Sequence, residues 1–422
     1  MNFLNQINNT FQSKLSNQFI RNLGWLGMAE IFYRVLRLGL VVIIARFLTP
    51  YDYGLGAVIL AVREFAITFA DVGICAKIIQ AEEEELNDLC NSAYWLNWLI
   101  FSGLFIIQCL VAFPISWLQN THEIILPICV VGAAYLLWPF AAIQRMLIQR
   151  ENRFKVIAFN DTIQNSLATI LSAIFAVLGM GVWAFALPSV LVIPLEIIIF
   201  LNNHSWRPQT GFTTKYWKKI WNFGQNILAV NLLRTLRNNL DYLIIYTCIG
   251  VKELGTYFFG FNAGLGISLS IINAINSAIL PHLCAARTEH NNLQTSYSKS
   301  LRIISLVIIP FVLFQSSFAY FYVPIIFGQK WIVAVPIVIL ICLSAIPRPF
   351  ADAASQLLVA VGKPHLDLRW NVLFTTIFTV ALLIGVHWHI IGVAISVLLV
   401  HIIFLPLFTL WATRYVFPQR IT

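Results

Sequence analysis

Charge is what this sequence has least of. Only 11% of its 422 residues are Asp, Glu, Lys or Arg, against roughly a quarter in an ordinary soluble domain. A water-soluble globular chain is excluded on that ground. The cysteines are few and scattered: Cys75, Cys90, Cys109, Cys129, Cys248, Cys284 and Cys342 form no CxxC pair, so neither a disulfide framework nor a zinc site is expected. No Walker motif, glycine-rich nucleotide loop, HExxH or serine-nucleophile elbow occurs, which argues against ATP-driven chemistry within the chain, and no cofactor or metal is expected. His387-Trp388-His389 reads as an interfacial anchor and not a metal site. The first twenty residues are polar and rich in Asn and Gln. They lack the apolar core of a secretory signal and read as an amphipathic lead-in.

What the sequence has is apolar length. Hydrophobic residues make up 59% of it, and mean hydropathy is +0.79. A membrane-crossing helix needs about 20 largely apolar residues. Runs of that kind are expected at 22–48, 54–79, 91–113, 122–143, 157–178 and 182–200, then at 222–249, 255–280, 301–323, 331–350, 370–387 and 390–413. The fold class is therefore an all-α integral membrane protein of about twelve transmembrane helices, in two six-helix lobes around a central cavity. The expected organisation is a lead-in 1–21, a first lobe 22–201, an inter-lobe loop 202–221, a second lobe 222–413 and a tail 414–422. The stretch 331–369, with Pro336, Pro347 and Pro349, is the hardest to divide.

The net charge of +9 does not point to nucleic acid, because the basic residues fall between apolar runs and form no continuous basic face. They point to topology. One set of connections holds Lys14, Arg21, Arg145, Arg150, Arg153, Lys155, Arg207, Lys215, Lys218, Lys219, Arg348, Lys363 and Arg369 among others, whereas the opposite set holds only Lys252 and Lys330. The rule that positive loops stay inside puts both termini in the cytoplasm. The acidic run Glu82–Glu85 falls on the same side and reads as a solvated helix turn.

The halves resemble each other. Arg34-x-x-Arg37 answers to Arg234-x-x-Arg237 at an offset of 200, and Asp52-x-Gly54 to Glu253-x-Gly255 at an offset of 201. Internal repeats are a building rule of secondary transporters, with the substrate between them. An arginine at the bilayer centre costs about 2.5–3.5 kcal/mol even on the gentlest scale. Four of them are therefore expected to face a wet cavity. Residues three or four apart share a helical face, so Glu30, Arg34 and Arg37 form one stripe, and Asn231, Arg234, Asn238 and Asp241 another, bordered by Arg237. Guanidinium groups suit phosphate because they offer forked, permanently charged donors. The substrate-binding candidates are Arg34, Arg37, Arg234, Arg237, Asn231 and Asn238. Pairing of these arginines with Glu30 and Asp241, to lock helices together, is the plainer alternative. Glu30, Glu64, Asp71 and Asp241 are candidates for ion coupling or ion pairing.

Four stretches carry a family resemblance. ARFLTPYDYGLGAVILA (Ala45–Ala61), LDYLIIYTCIGVKELGTYFFGFNAG (Leu240–Gly264), IINAINSAILPHLCAAR (Ile271–Arg287) and IQRENRFKVIAF (Ile148–Phe159) resemble Wzx-type polysaccharide flippases of the multidrug/oligosaccharidyl-lipid/polysaccharide exporter superfamily. The resemblance implies a bacterial inner-membrane protein that flips a polyprenyl-pyrophosphate-linked oligosaccharide to the outer leaflet by alternating access. Polysaccharide polymerase and glycosyltransferases are then candidate partners. Two other readings stay open: a small-amphiphile or drug exporter of the same superfamily, and a polymerase or ligase. A drug exporter of cations would want an acidic cavity, and an enzyme of that kind generally needs a sizeable outer loop.

Overall fold

In a computed structural model of the chain, residues 37, 39–70, 72–209, 211–286 and 290–417 are described, and among them every regular element is a helix. In chain order the first are α1 (39–47), α2 (Pro50–Ala70), α3 (Ile74–Ile79), α4 (Glu83–Gln119), α5 (Ile125–Ala133), α6 (Pro139–Arg150), α7 (Phe154–Val177), α8 (Trp183–Leu191) and α9 (Ile193–Asn203). After an irregular connection come α10 (Trp217–Cys248), α11 (Val251–Ala286), α12 (His290–Ser317), α13 (Ala319–Tyr322), α14 (Val335–Ser344), α15 (Arg348–Ala360), α16 (Pro364–Gly385) and α17 (His389–Val416).

Among the described residues, five segments are long and apolar enough to cross a membrane, or up to six if the bent pair His122–Leu136 and Pro139–Arg150 counts as one span. This is a multi-pass membrane protein. α2 and α10 are not among those segments. They carry Asp52, Arg63 and Glu64, and Arg234, Arg237 and Asp241 respectively.

Local chemistry explains several boundaries. α2 opens with a capping box: Asp52 N–H donates to Thr49 Oγ1 at 3.2 Å while Thr49 N–H donates to Asp52 Oδ2 at 2.9 Å. Pro50 takes the first helical position, where its missing N–H costs nothing. The 58° bend between α5 and α6 falls at Pro139, which cannot donate back into the preceding turn. α6 then runs on to Arg150. It stops because Asn152 adopts a left-handed conformation (φ 56°), with Arg153 N–H bonded to the Ile148 carbonyl at 3.0 Å. The expected loop 144–155 thus contracts to a tight turn, and Arg145 lies on a helix. A similar correction applies to the stretch 331–369. α14 and α15 together reach Ala360, so Arg348 also belongs to a helix and not to a connection.

The chain divides into two compact units. Unit 1 takes in the chain up to Leu48 together with Ile59–Leu236, and unit 2 takes in Thr49–Val58 and Arg237–Thr422. One core of unit 1 gathers Val72, Ile74, Ile78, Leu89, Ile143 and Ile220 from α2's end, α3, α4, α6 and α10. In unit 2, Trp331 is fully buried, stacked on Phe259 with ring centroids 3.9 Å apart and edge-on to Tyr53 at 4.9 Å.

A reciprocal crossing of α2 and α11 also lies in unit 2. A Cβ on Gly54 would overlap the Val251 carbonyl oxygen, and a Cβ on Gly255 would overlap that of Pro50. The two glycines are repeat-related at the offset of 201, and so are the two carbonyls. Only glycine permits this approach of backbones.

Candidate functional site

The predicted site residues fall as follows. Arg34, Glu30 and Asp71 lie outside the described residues. Arg37 is exposed on the helical stretch that leads into α1. On α10, Arg234 and Asn238 are exposed, while Asn231 and Arg237 are half-buried. The border between the units passes between Leu236 and Arg237, so Asn231 and Arg234 belong to unit 1, and Arg237, Asn238 and Asp241 to unit 2. Among the described residues, no acid pairs with Arg37 or Arg234. Glu64 is exposed on α2. Nearby in unit 1, the hydroxyls of Thr68 (α2) and Thr235 (α10) lie 2.8 Å apart.

Asp241 is buried, 4% exposed, and is not part of an open stripe with Arg234 and Asn238. Its Oδ2 accepts the Tyr257 hydroxyl at 2.8 Å and its Oδ1 accepts Tyr242 N–H at 3.0 Å. Arg348 at the start of α15 acts electrostatically on Asp241, Asp352 and Tyr257, and its Nε is buried without a hydrogen-bond partner among the described residues. Arg237 donates to Asn371 Oδ1 on α16, whose own Nδ2 donates to the Asp367 carbonyl at 2.8 Å. Unit 2 therefore holds a closed polar nest built from α10, α11, α15 and α16.

Unit 1 holds a second polar cluster, an open one, whose pairing sequence reasoning missed. Arg145 on α6 lies 3.2 Å from Asp161 on α7 and 3.2 Å from Glu196 on α9. Gln164 donates to Glu196 Oε2 at 2.8 Å, and Asn160 Nδ2 donates to Asp161 Oδ1 at 3.2 Å. Arg63 of α2 acts electrostatically on Glu196 and on Tyr135. The Tyr135 hydroxyl donates to Gln108, which donates in turn to the Ile128 carbonyl, both at 2.8 Å. A signal was there to be read. Asn160, Asp161, Gln164, Asn165 and Thr169 repeat at helical spacing along an otherwise apolar span.

The acidic run at the start of α4 also has partners. Glu83 pairs with Arg150 at 2.7 Å, Glu85 with Lys219 at 2.7 Å, and Asp88 with Lys215 at 2.9 Å. The run is the solvent-exposed first turn of α4, as the solvated-turn reading expects, and the ion pairs add to that reading. The acids suit the positive end of the helix dipole, and they clamp the connection 204–216 and the start of α10. Hydrogen bonds reinforce the clamp: Trp206 Nε1–H donates to Asn87 Oδ1 at 3.1 Å and Trp217 Nε1–H to the Ser92 carbonyl at 3.0 Å. Lys219 holds the Glu85 carboxyl below its usual range, and Asp88 and Glu85 hold Lys215 and Lys219 above theirs.

Comparison with known proteins agrees with this architecture. Lipopolysaccharide biosynthesis protein WzxC of Escherichia coli (strain K12) is 26% identical over 405 residues, covering 92% of this chain and 80% of the relative. A membrane protein in the cps region of Klebsiella pneumoniae is 23% identical, covering 90% and 79%. Among solved structures, the lipid II flippase MurJ in an inward closed conformation has a TM-score of 0.73 at 15% identity, covering 92% of this chain and 87% of that one. An inward-facing multidrug resistance MATE family transporter of the MOP superfamily reaches 0.72 at 15% identity, covering 90% and 94%. At such identity the two structures speak to fold alone. The sequence relatives bear out the resemblance read from Ala45–Ala61 and Leu240–Gly264. A family model described as "Polysaccharide biosynthesis protein" matches residues 43–336, and the chain belongs to that family.

Proposed function

We propose that the chain flips polyprenyl-pyrophosphate-linked oligosaccharides from the cytoplasmic to the outer leaflet of a bacterial inner membrane, as a transporter and not as an enzyme. The observation that carries this reading is the pair of exposed guanidiniums Arg37 and Arg234, which no acid among the described residues pairs with, on helices of a membrane protein. A lipid-facing arginine is costly, whereas one that faces an aqueous path meets an anion with charge-assisted hydrogen bonds. Membership of a polysaccharide-biosynthesis family supplies the class of anion.

In this reading two six-helix lobes, 22–201 and 222–413, enclose a central cavity, and both termini lie in the cytoplasm. Arg34, Arg37, Arg234 and Arg237 receive the pyrophosphate, Asn231 and Asn238 reach sugar hydroxyls, and the polyprenyl tail stays in the bilayer. Rocking of the lobes then exposes the headgroup to the far side, driven by whatever difference in affinity the two states have for substrate and coupling ion. Glu30, Glu64, Asp71 and Asp241 are the coupling candidates, and Asp241 is a weak acceptor of a free cation because both its oxygens already take hydrogen bonds.

The test is a double variant, R37A/R234A, in a strain that depends on this chain for its surface polymer. Polymer should disappear, lipid-linked repeat units should accumulate on the cytoplasmic face, and the protein should remain at wild-type level in the membrane. Normal polymer in that strain would overturn the assignment, and accumulation on the outer face would favour a polymerase or ligase.

A further inference from the structure

The charge cluster of unit 1 differs from a helix lock in three respects. It is open: the side chains of Arg145 and Asp161 are 38% and 40% exposed. Glu196 sits within the apolar segment Trp183–Asn203, and charges in such a place do not turn to hydrocarbon, so the open side is wet. It is balanced, with Arg63 and Arg145 against Asp161 and Glu196, so it offers no net pull on a pyrophosphate. It is also incomplete. Asn160 is fully buried and bonds Asp161 through Nδ2, yet its Oδ1 has no hydrogen-bond partner among the described residues. A buried amide oxygen left unpaired is uncommon and costs about 1–3 kcal/mol.

A metal ion is a poor occupant. Among the described residues no three His, Cys, Asp or Glu side chains are grouped to hold one, and both carboxylates already accept from Arg145. A ligand that donates and accepts at many points, and is uncharged where it meets the cluster, suits the donor set better. That is the chemistry of a sugar ring bearing several hydroxyls. Carboxylates and amides accept from hydroxyl groups, and guanidinium and amide N–H groups donate to them.

We propose that Arg145, Asp161, Gln164 and Glu196 form a glycan subsite in the first half of the chain, separate from the arginines that take the pyrophosphate, and that this subsite selects which sugar is carried. The inference rests on the reading of the chain as a flippase of lipid-linked oligosaccharides. It divides the headgroup by chemistry: arginines for the charged part, a balanced cluster for the polyhydroxyl part.

The experiment measures binding of two lipids to full-length protein in nanodiscs. One is the lipid-linked glycan extracted from a strain lacking this chain, and the other is bare polyprenyl pyrophosphate. Q164L removes one hydrogen-bonding group and keeps the Arg145 ion pairs; E196Q removes a charge. Melting curves identify any variant that has lost its fold, and Q164L is expected to melt as wild type does. Q164L should weaken the glycan-bearing lipid by about 3- to 10-fold, the worth of one hydrogen bond, and leave the bare lipid unchanged. R234A should weaken both. Equal loss for both lipids in Q164L, or no loss for either, overturns the subsite. Wild-type protein that binds both lipids equally overturns the subsite and leaves the flippase reading standing. Wild-type protein that binds neither overturns the flippase reading, and the subsite with it.

Discussion

Arg145 and Arg348 stand at matching stations in the two halves, and their surroundings differ in one respect that matters. Each lies on a helix that follows a proline-marked break, at Pro139 and at Pro347. Each acts on two carboxylates, Asp161 and Glu196 in one case, Asp241 and Asp352 in the other. In unit 1 the arginine makes direct ion pairs and remains two-fifths exposed. In unit 2 the guanidinium Nε is buried without a hydrogen-bond partner among the described residues, and Asp241 is closed off by Tyr257. The same ingredients give an open cluster in one unit and a sealed one in the other. A sealed cluster fixes helices, whereas an open one can also meet a ligand.

Removing the arginine from each side is the strongest way to break the comparison. R348M should remove the buried positive charge that acts on Asp241 and Asp352 and leave those carboxylates without it. The expected result is a collapse of melting temperature or of membrane yield. R145M should cost much less stability, because water still reaches Asp161, but it should impair transport. Fluorescence-detected size exclusion after heating separates the two outcomes. Equal destabilisation would erase the distinction between open and sealed.

The glycine crossing gives a middle-sized effect. G255V forces a side chain onto the Pro50 carbonyl and should cost about 1–3 kcal/mol or more, as overpacking does, and G54V should match it. Because both act on one contact, the double variant should lose less than the sum of the singles. Strict additivity in the same melting assay would show that the two glycines serve different contacts.

The surface clamp should give the smallest effect. The Glu85 and Lys219 side chains are about half exposed at the surface, and such pairs contribute little and are screened by salt. Since Glu85 titrates below its ordinary range, its share of the pairing is present above that range and fades as pH falls through the lowered value. The Lys219 share is full below the ordinary lysine range and fades as pH rises through the raised value. E85Q should therefore leave melting at neutral pH within error and slightly flatten its fall at acid pH. A large loss at neutral pH would mean that the clamp does more than hold the connection in place.

The helical architecture was legible because hydrophobic runs of membrane length have few other uses. Boundaries were less so. Arg145 and Arg348 looked like the positive residues of inward loops, since a basic residue at the end of an apolar run carries the same sign whether the helix stops there or continues. Their partners were hidden for a different reason: Arg145 meets Glu196 across 51 residues of chain, and nothing in local spacing encodes that distance. The polar stripe of α7 was readable and went unread. The repeat was seen as matched letters, and its physical content emerged only when Gly54 and Gly255 came to lie against each other's turn.

That crossing has a consequence for how the two halves can change. A contact between equivalent positions is isologous, the arrangement usual in dimers of identical subunits. In such a dimer every mutation strikes twice. Here both sides are written separately in one chain, so a change at one glycine leaves its image intact. One side can keep the Thr49–Asp52 capping box while the other carries Lys252 and Glu253. Covalent fusion frees the two sides of a symmetric contact to diverge in sequence while the crossing itself is kept.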